Sequence, residues 1–371
     1  MSDMRIMMTA DAVGGVWQYS IDLARGLSRL GIETVLATMG PAMTARQRAE
    51  AAEIPELRLI ETGLVLDWMA RDASAVREAS SAIEQIAKEC EADIIQLSTP
   101  ALAAQSRFHA PVVAVQHSCV ATWWDAVHGS ELPADFQWRA ELVRQGLAAA
   151  SIVITPTAAF GHMTQRRYDL PTVPRTIHNG RTPLALTPRA AHDFVFTAGR
   201  LWDDGKNLRT IDAAAARIGV PIHAAGSVLT PQGAEVKFDH IHCLGLLDED
   251  QLGQWLAARP VFVSAALYEP FGLAVLEAAA AGCALILSDI PTFRELWEDV
   301  AIFIPARNHN AFAHAMAELV GDDCERARMG RAARERAARF TPDAMAAQMA
   351  SIYRSLLPAA SGPRLTSRVA A

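Results

Sequence analysis

Two glutamates eight positions apart, Glu269 and Glu277, close the segment EPFGLAVLE. The first stands just before an apolar, helix-length stretch and the second lies two turns inside it. Carboxylates accept hydrogen bonds from the hydroxyls of a sugar or ribose, and the unpaired N–H groups of Phe271, Gly272 and Leu273 at a helix start can face a phosphate. Glu277 falls within LAVLEAAAAG, where an unpartnered charge is costly, so it needs a partner. A capping acid followed by a structurally paired glutamate satisfies the same residues.

A second segment, GRLWDDGKN at 199–207, sets Arg200 at the end of an apolar strand and Lys206 before the next helix. An anionic leaving group such as a diphosphate is neutralised by direct contact with two such cations. Lysine is rare in this chain: Lys88, Lys206 and Lys237 are the only three among 34 basic residues. A compact point charge is therefore kept where arginine is otherwise preferred, which suits a phosphate. Two solvated surface cations are the bland alternative. Gly14 and Gly15 precede a helix, where backbone N–H groups can approach a phosphate; a tight turn explains them equally. Their spacing is not that of a dinucleotide-cofactor loop. His117 ends a buried strand, either as a satisfied core histidine or as a group at a cleft edge.

These residues need elements that end together. Apolar runs alternate with amphipathic, helix-length stretches, the signature of βαβ units and a parallel sheet. Strands are expected over Arg5–Thr9, Ile32–Met39, Ile94–Leu97, Val112–Gln116 and Ile152–Thr155. The pattern restarts with Phe194–Gly199, Val220–Ala225, Ile241–Leu244, Val261–Ser264 and Ala284–Ser288. Helices are expected over Val16–Leu30, Leu208–Ile218 and Pro342–Leu357. The reading is an α/β chain of two tandem Rossmann-like, doubly wound domains facing each other across a cleft. The first spans 1–183 and the second 184–340, joined by turn and linker chemistry near 180–193. Residues 341–357 form a C-terminal helix able to cross back to the first domain, and 358–371 a disordered tail. Ligands bind at the carboxyl ends of strands in such sheets, which is where all the residues above lie.

Other features exclude more than they assign. The chain has 371 residues and a formal net charge of −7, without the basic footprint of a nucleic-acid binder. Its five cysteines are scattered and form no C-x-x-C pair, against a disulfide framework or thiolate zinc site. No signal-peptide layout is evident at the start, and no apolar run approaches the roughly 20 residues of a spanning helix. A cytoplasmic location is expected, with peripheral contact at the inner membrane face left open. His240 and His242 share a strand face but lack a third ligand. Trp123 and Trp124 can form a platform for an acceptor sugar or simply pack. The arginine-rich helix over Glu325–Arg339 reads as a solvated face.

The stretch from Val261 to Pro305 resembles the retaining glycosyltransferases of family 4, two-domain GT-B enzymes whose E-x7-E signature is matched by Glu269 and Glu277. GRLWDDGKN, the opening Met4–Gly15 and His178-Asn179-Gly180 add to a likeness across most of residues 4–355. It implies that Arg200 and Lys206 neutralise a diphosphate, that Glu269 binds the donor sugar and Glu277 the ribose, and that His117 sits beside the donor sugar. Backbone at Gly14, Gly15 and Phe271–Leu273 completes the phosphate site, and Gly245 and Leu246 contact the base. It further implies a nucleotide-diphosphate sugar as donor, a UDP-sugar before a GDP-sugar, with no cofactor and no metal. A hexose-type sugar then passes to a glycan, lipid-linked or small-molecule acceptor. Arg181 departs from the family, which usually has an aliphatic residue there, and Gly226-Ser227 replaces a more glycine- and acid-rich turn. A sugar-nucleotide epimerase and a non-catalytic sugar-nucleotide-binding protein are the rival readings.

Overall fold

The computed structural model describes residues 4–187, 189–231 and 233–358. The tail expected to be disordered lies, apart from Pro358, outside them. In the N-terminal half, β1 (Arg5–Asp11), β2 (Glu33–Met39), β3 (Leu57–Glu61), β4 (Ile94–Leu97), β5 (Val112–Val115), β6 (Ile152–Thr155) and β7 (Arg175–Thr176) form one sheet. Its order is β3-β2-β1-β4-β5-β6-β7. In the C-terminal half, β8 (Val195–Ala198), β9 (Ile222–Ala225), β10 (His242–Gly245), β11 (Val261–Ser264), β12 (Ala284–Ser288) and β13 (Ala301–Ile304) form a second, ordered β10-β9-β8-β11-β12-β13. Every pairing is parallel.

The central strands are almost wholly apolar because helices cover both faces. One face of the first sheet packs Met8 and Ile6 against Trp17, Ile21 and Leu27, while Met7, Val35 and Ile95 on the other meet Ala79 and Ile83. In the second sheet Phe196, Phe262 and Leu285 face Leu276 and Trp297, and Val195, Val263 and Ile286 face Ile211, Phe312 and Met316. The strands that sequence patterning does not reveal, β3, β7 and β13, are three of the four sheet edges; the fourth, β10, is expected from the sequence. An edge strand is half covered, so it lacks the continuous apolar run: β3 has no fully buried residue and β7 is two residues long.

Strand order reverses between β1 and β4 in one sheet and between β8 and β11 in the other. Such switch points open a crevice at the carboxyl ends, and here the two crevices face each other. The joint between halves is not the exposed linker that its turn residues suggest. Asn179 and Arg181 are buried, and a side chain on Gly180 would come within 2.1 Å of the Thr341 carbonyl. Arg181 donates its N–H to the Phe340 carbonyl at 3.1 Å. The chain thus crosses between halves twice, side by side. The second crossing delivers the helix Pro342–Leu356 onto Gly15–Arg29, with Met345, Ala346, Met349 and Tyr353 in the N-terminal core.

Candidate active site

Lys206 ends a short turn that begins at Asp203, and its position is fixed by that turn. Asp203 is buried, accepts the Gly205 N–H at 2.8 Å and takes an Arg200 guanidinium N–H at 2.8 Å. Gly205 in turn receives the Leu267 N–H on its carbonyl at 2.8 Å, which brings the loop after β8 against the loop after β11. Across that contact the Lys206 ammonium forms an ion pair with Glu269. Arg200 lies at the same edge, with its side chain 53% exposed and free to turn toward a ligand while Asp203 holds one nitrogen.

The helix Leu273–Ala281 follows Gly272, which has φ +92° and gives no side-chain cap, so the first N–H groups of that helix meet no capping side chain. A Cβ on Gly272 would stand 3.2 Å from the Glu269 Cγ, so the turn, the helix start and the glutamate form one unit. Phe271 contributes backbone only, its ring being buried against Phe340 with centroids 5.8 Å apart. Facing this unit from the other half is the helix Gly15–Arg29, which Gly14 starts with φ +75° and likewise without a side-chain cap. A Cβ on Gly15 would lie 3.3 Å from Leu273 Cδ1. Two helix N-termini, each an anion-attracting dipole end, therefore meet across the cleft.

Glu277, whose need for a partner follows from the sequence, finds it in Arg181. The guanidinium Nε donates to the Glu277 Oε1 at 2.8 Å, another nitrogen reaches Asp22 at 3.2 Å, and the third pairs with Glu249. One buried cation thus ties the joint, a helix of the N-terminal half and two helices of the C-terminal half. Burial pushes the Glu277 carboxyl up, and Arg181 opposes that shift. Burial would lower the guanidinium, but Glu277 and Asp22 more than reverse it and hold Arg181 firmly charged. Only the departure of Arg181 from the aliphatic residue of the resembled family hints at this hub in the sequence.

His117 packs its ring edge-on to Tyr19, centroids 4.5 Å apart, and its Nε2 is buried without a protein partner. Burial depresses its pKa from 6.5 to about 4, so the imidazole is neutral at physiological pH. Asp11, at the end of β1, receives the Val13 N–H at 2.7 Å and the Trp68 indole N–H at 3.0 Å. Burial nevertheless raises its carboxyl to about 6. Gly245 accepts the Gly226 N–H at 2.7 Å, while Leu246 beside it is 80% exposed. Neither Asp11 nor Trp68 stands out in the sequence, because their proximity arises only when the loop after β3 folds over the end of β1.

The halves are closed onto each other by further bonds. Trp123 donates its indole N–H to Asp203 at 2.9 Å, and Tyr268 meets the Thr122 hydroxyl at 2.9 Å. Glu295 receives the Ala158 and Ala159 N–H groups at 2.9 and 2.7 Å, from the start of a helix in the opposite half. Trp123 is therefore a strut between halves, and Trp124 packs on His128 with ring centroids 4.1 Å apart. His242 lies beside His223, centroids 5.4 Å apart, and among the described residues no group of three or more His, Cys, Asp or Glu is placed to hold a metal ion. No helix among them is long and apolar enough to cross a membrane.

Two parallel sheets with apposed carboxyl edges, and a charged cluster at the junction, define the GT-B architecture. Comparison with known proteins agrees. Sucrose-phosphate synthase from Thermosynechococcus elongatus superposes with a TM-score of 0.78 at 20% identity, covering 95% of this chain and 99% of that one. HepE of Anabaena in complex with UDP-glucose superposes with 0.71 at 18% identity, covering 95% and 100%. Residues 13–183 match the model of glycosyltransferase family 4, and 234–336 that of glycosyl transferases group 1. The chain belongs to these glycosyltransferases, carrying a domain of each. A phosphatidyl-myo-inositol mannosyltransferase of Mycobacterium leprae is 28% identical over 132 residues, 35% of either chain. A D-inositol 3-phosphate glycosyltransferase of Streptomyces avermitilis is 30% identical over 113 residues, 30% of this chain and 24% of the relative. The matched stretches thus span about a third or less of these relatives.

Proposed function

We propose that the protein is a retaining glycosyltransferase that moves a hexose-type sugar from a nucleotide-diphosphate sugar, a UDP-sugar before a GDP-sugar, to a hydroxyl of a glycan, lipid-linked or small-molecule acceptor. The bond from the anomeric carbon to the diphosphate oxygen breaks and one to the acceptor oxygen forms on the same face. The acceptor's proton passes to a phosphate oxygen, so the products are glycoside and protonated nucleoside diphosphate. Negative charge grows on the leaving diphosphate, and the Lys206 ammonium with Arg200 and the two helix starts stabilises it. That cationic pair does the work a divalent metal would otherwise do.

The observation that carries this reading is the Lys206–Glu269 pair at the helix start after Gly272. Before donor binds, each charge keeps the other in place. When a diphosphate arrives, Lys206 turns to it and Glu269 is released to the sugar hydroxyls. Glu277, oriented by Arg181, retains Oε2 for the ribose. The relatives' names support a sugar donor and a ring-hydroxyl acceptor, and the UDP-glucose complex of HepE supports a uridine nucleotide.

The test is stabilisation of the purified chain by UDP-, GDP- and ADP-glucose, followed by NMR of the product's anomeric centre. The UDP-sugar should raise Tm most, as any ligand specific to the native state does. Stabilisation by none of the three would defeat the donor assignment, and an inverted product would defeat retention.

A further inference from the structure

Large apolar side chains are prominently exposed at seven positions among the described residues, and three of them, Val13, Trp68 and Met69, gather around Asp11. Val13 and Trp68 are hydrogen-bonded to its two carboxylate oxygens, and Met69 follows Trp68 in the same turn. Trp68 is 39% and Met69 47% exposed. Trp68 is thus held by its indole N–H while more than a third of its surface stays exposed, which leaves ring surface for a ligand to stack on.

The patch borders the donor crevice. Asp11 ends β1 at the switch point, Gly15 four residues on abuts Leu273, and Arg200 of the opposite half is near enough to oppose protonation of Asp11. Its charge is acidic. Asp67, half-buried and next to Trp68 in sequence, accepts the Thr99 hydroxyl at 2.9 Å. Of the cations nearby, Arg139 is engaged, lying over the Trp138 ring and donating to the Ala70 carbonyl, and Arg71 pairs with Asp72 at 3.3 Å on the surface. Arg200 is the cation that the diphosphate takes. A phosphorylated ligand placed on Trp68 would stand against the Asp11 and Asp67 carboxylates.

We infer that this patch is the acceptor subsite and that it takes an uncharged hydroxylated ring with an apolar substituent. The Trp68 indole supplies the stacking face, Asp11 accepts a hydrogen bond from a ring hydroxyl, and Val13 and Met69 cover the apolar flank. This rests on the glycosyl-transfer reading above.

The experiment titrates the full chain, saturated with UDP, with p-nitrophenyl α-glucoside and with glucose 6-phosphate, by calorimetry. The glucoside should bind at least about tenfold more tightly than the phosphate, a gap of about 1.4 kcal/mol. Trp68→Ala should weaken the glucoside about tenfold and Met69→Ser about threefold, with UDP affinity held within about twofold. No glucoside binding, equal or tighter binding of glucose 6-phosphate, or unchanged affinity in both variants overturns the inference. If UDP itself fails to bind, the donor reading falls separately, and the same titrations on the unliganded chain decide the subsite by the same thresholds.

Discussion

The two carboxyl edges that meet at the cleft are made of opposite materials. On the C-terminal edge the working side chains are charged and already paired, Lys206 with Glu269 and Glu277 with Arg181. On the N-terminal edge there is no paired cation: burial keeps His117 neutral, and Asp11, its carboxyl raised to about 6, holds the half-exposed Trp68 by the indole N–H. The first edge suits a dianionic, departing group, and the second an uncharged ring. The comparison teaches that one cleft can hold a strong electrostatic gradient, because the charged side is balanced internally before any ligand arrives.

The largest effect should come from the hub that joins the edges. Arg181→Met leaves Asp22, Glu249 and Glu277 without their shared cation, and removing one partner of a buried ion cluster costs about 3–5 kcal/mol. Urea unfolding reads this directly; a loss under about 1 kcal/mol would show that the hub is dispensable. The same variant removes the influence that opposes protonation of Glu277. Its donor affinity should therefore fall more steeply with falling pH than that of the native chain. Lys206→Ala, on the charged edge, should lower kcat about 10²–10³-fold, the usual cost of losing one leaving-group contact. An unchanged kcat in steady-state assays would remove Lys206 from the chemistry.

The neutral edge predicts a pH signature instead. Because His117 titrates near 4 when folded and at 6.5 when unfolded, the unfolded chain takes up the proton first as pH falls. The stability that a neutral His117 gives is complete above about pH 6.5 and lost toward pH 4, by up to roughly 3 kcal/mol. His117→Gln should abolish that part of the acid loss in denaturation curves at pH 7 and pH 4. The smallest effect separates the two glycine starts. Gly14→Ala meets no atom within 4 Å, so it costs only the backbone strain of its φ, about 1–2 kcal/mol. Gly272→Ala adds tight 3.2 Å contacts with Glu269 and Phe293 and should lose both stability and donor affinity. Equal behaviour of the two in thermal melts and donor titrations would erase the contrast drawn between the edges.

How far each edge was legible follows from how it is assembled. EPFGLAVLE and GRLWDDGKN each hold their chemistry within about ten residues, so local spacing already points to a helix start, a lysine and two carboxylates. Continuous apolar runs likewise disclose the central strands, since burial on both faces leaves no room for polar alternation. Edge strands β3, β7 and β13 escape because half their surface is wet, and the joint at 178–182 reads as a linker because its polar residues are satisfied only by segments far along the chain.

What the amino-acid order determined, then, was the repeated βαβ pattern, the crevice at the strand ends and the charged donor edge, all consequences of local periodicity and short-range spacing. Tertiary structure alone decided that Arg181 answers Glu277 across 96 positions, that Trp68 sits over Asp11 across 57, and that His117 is kept neutral. Each depends on desolvation and on contacts between distant segments, and those exist only once both sheets are packed and the two halves meet.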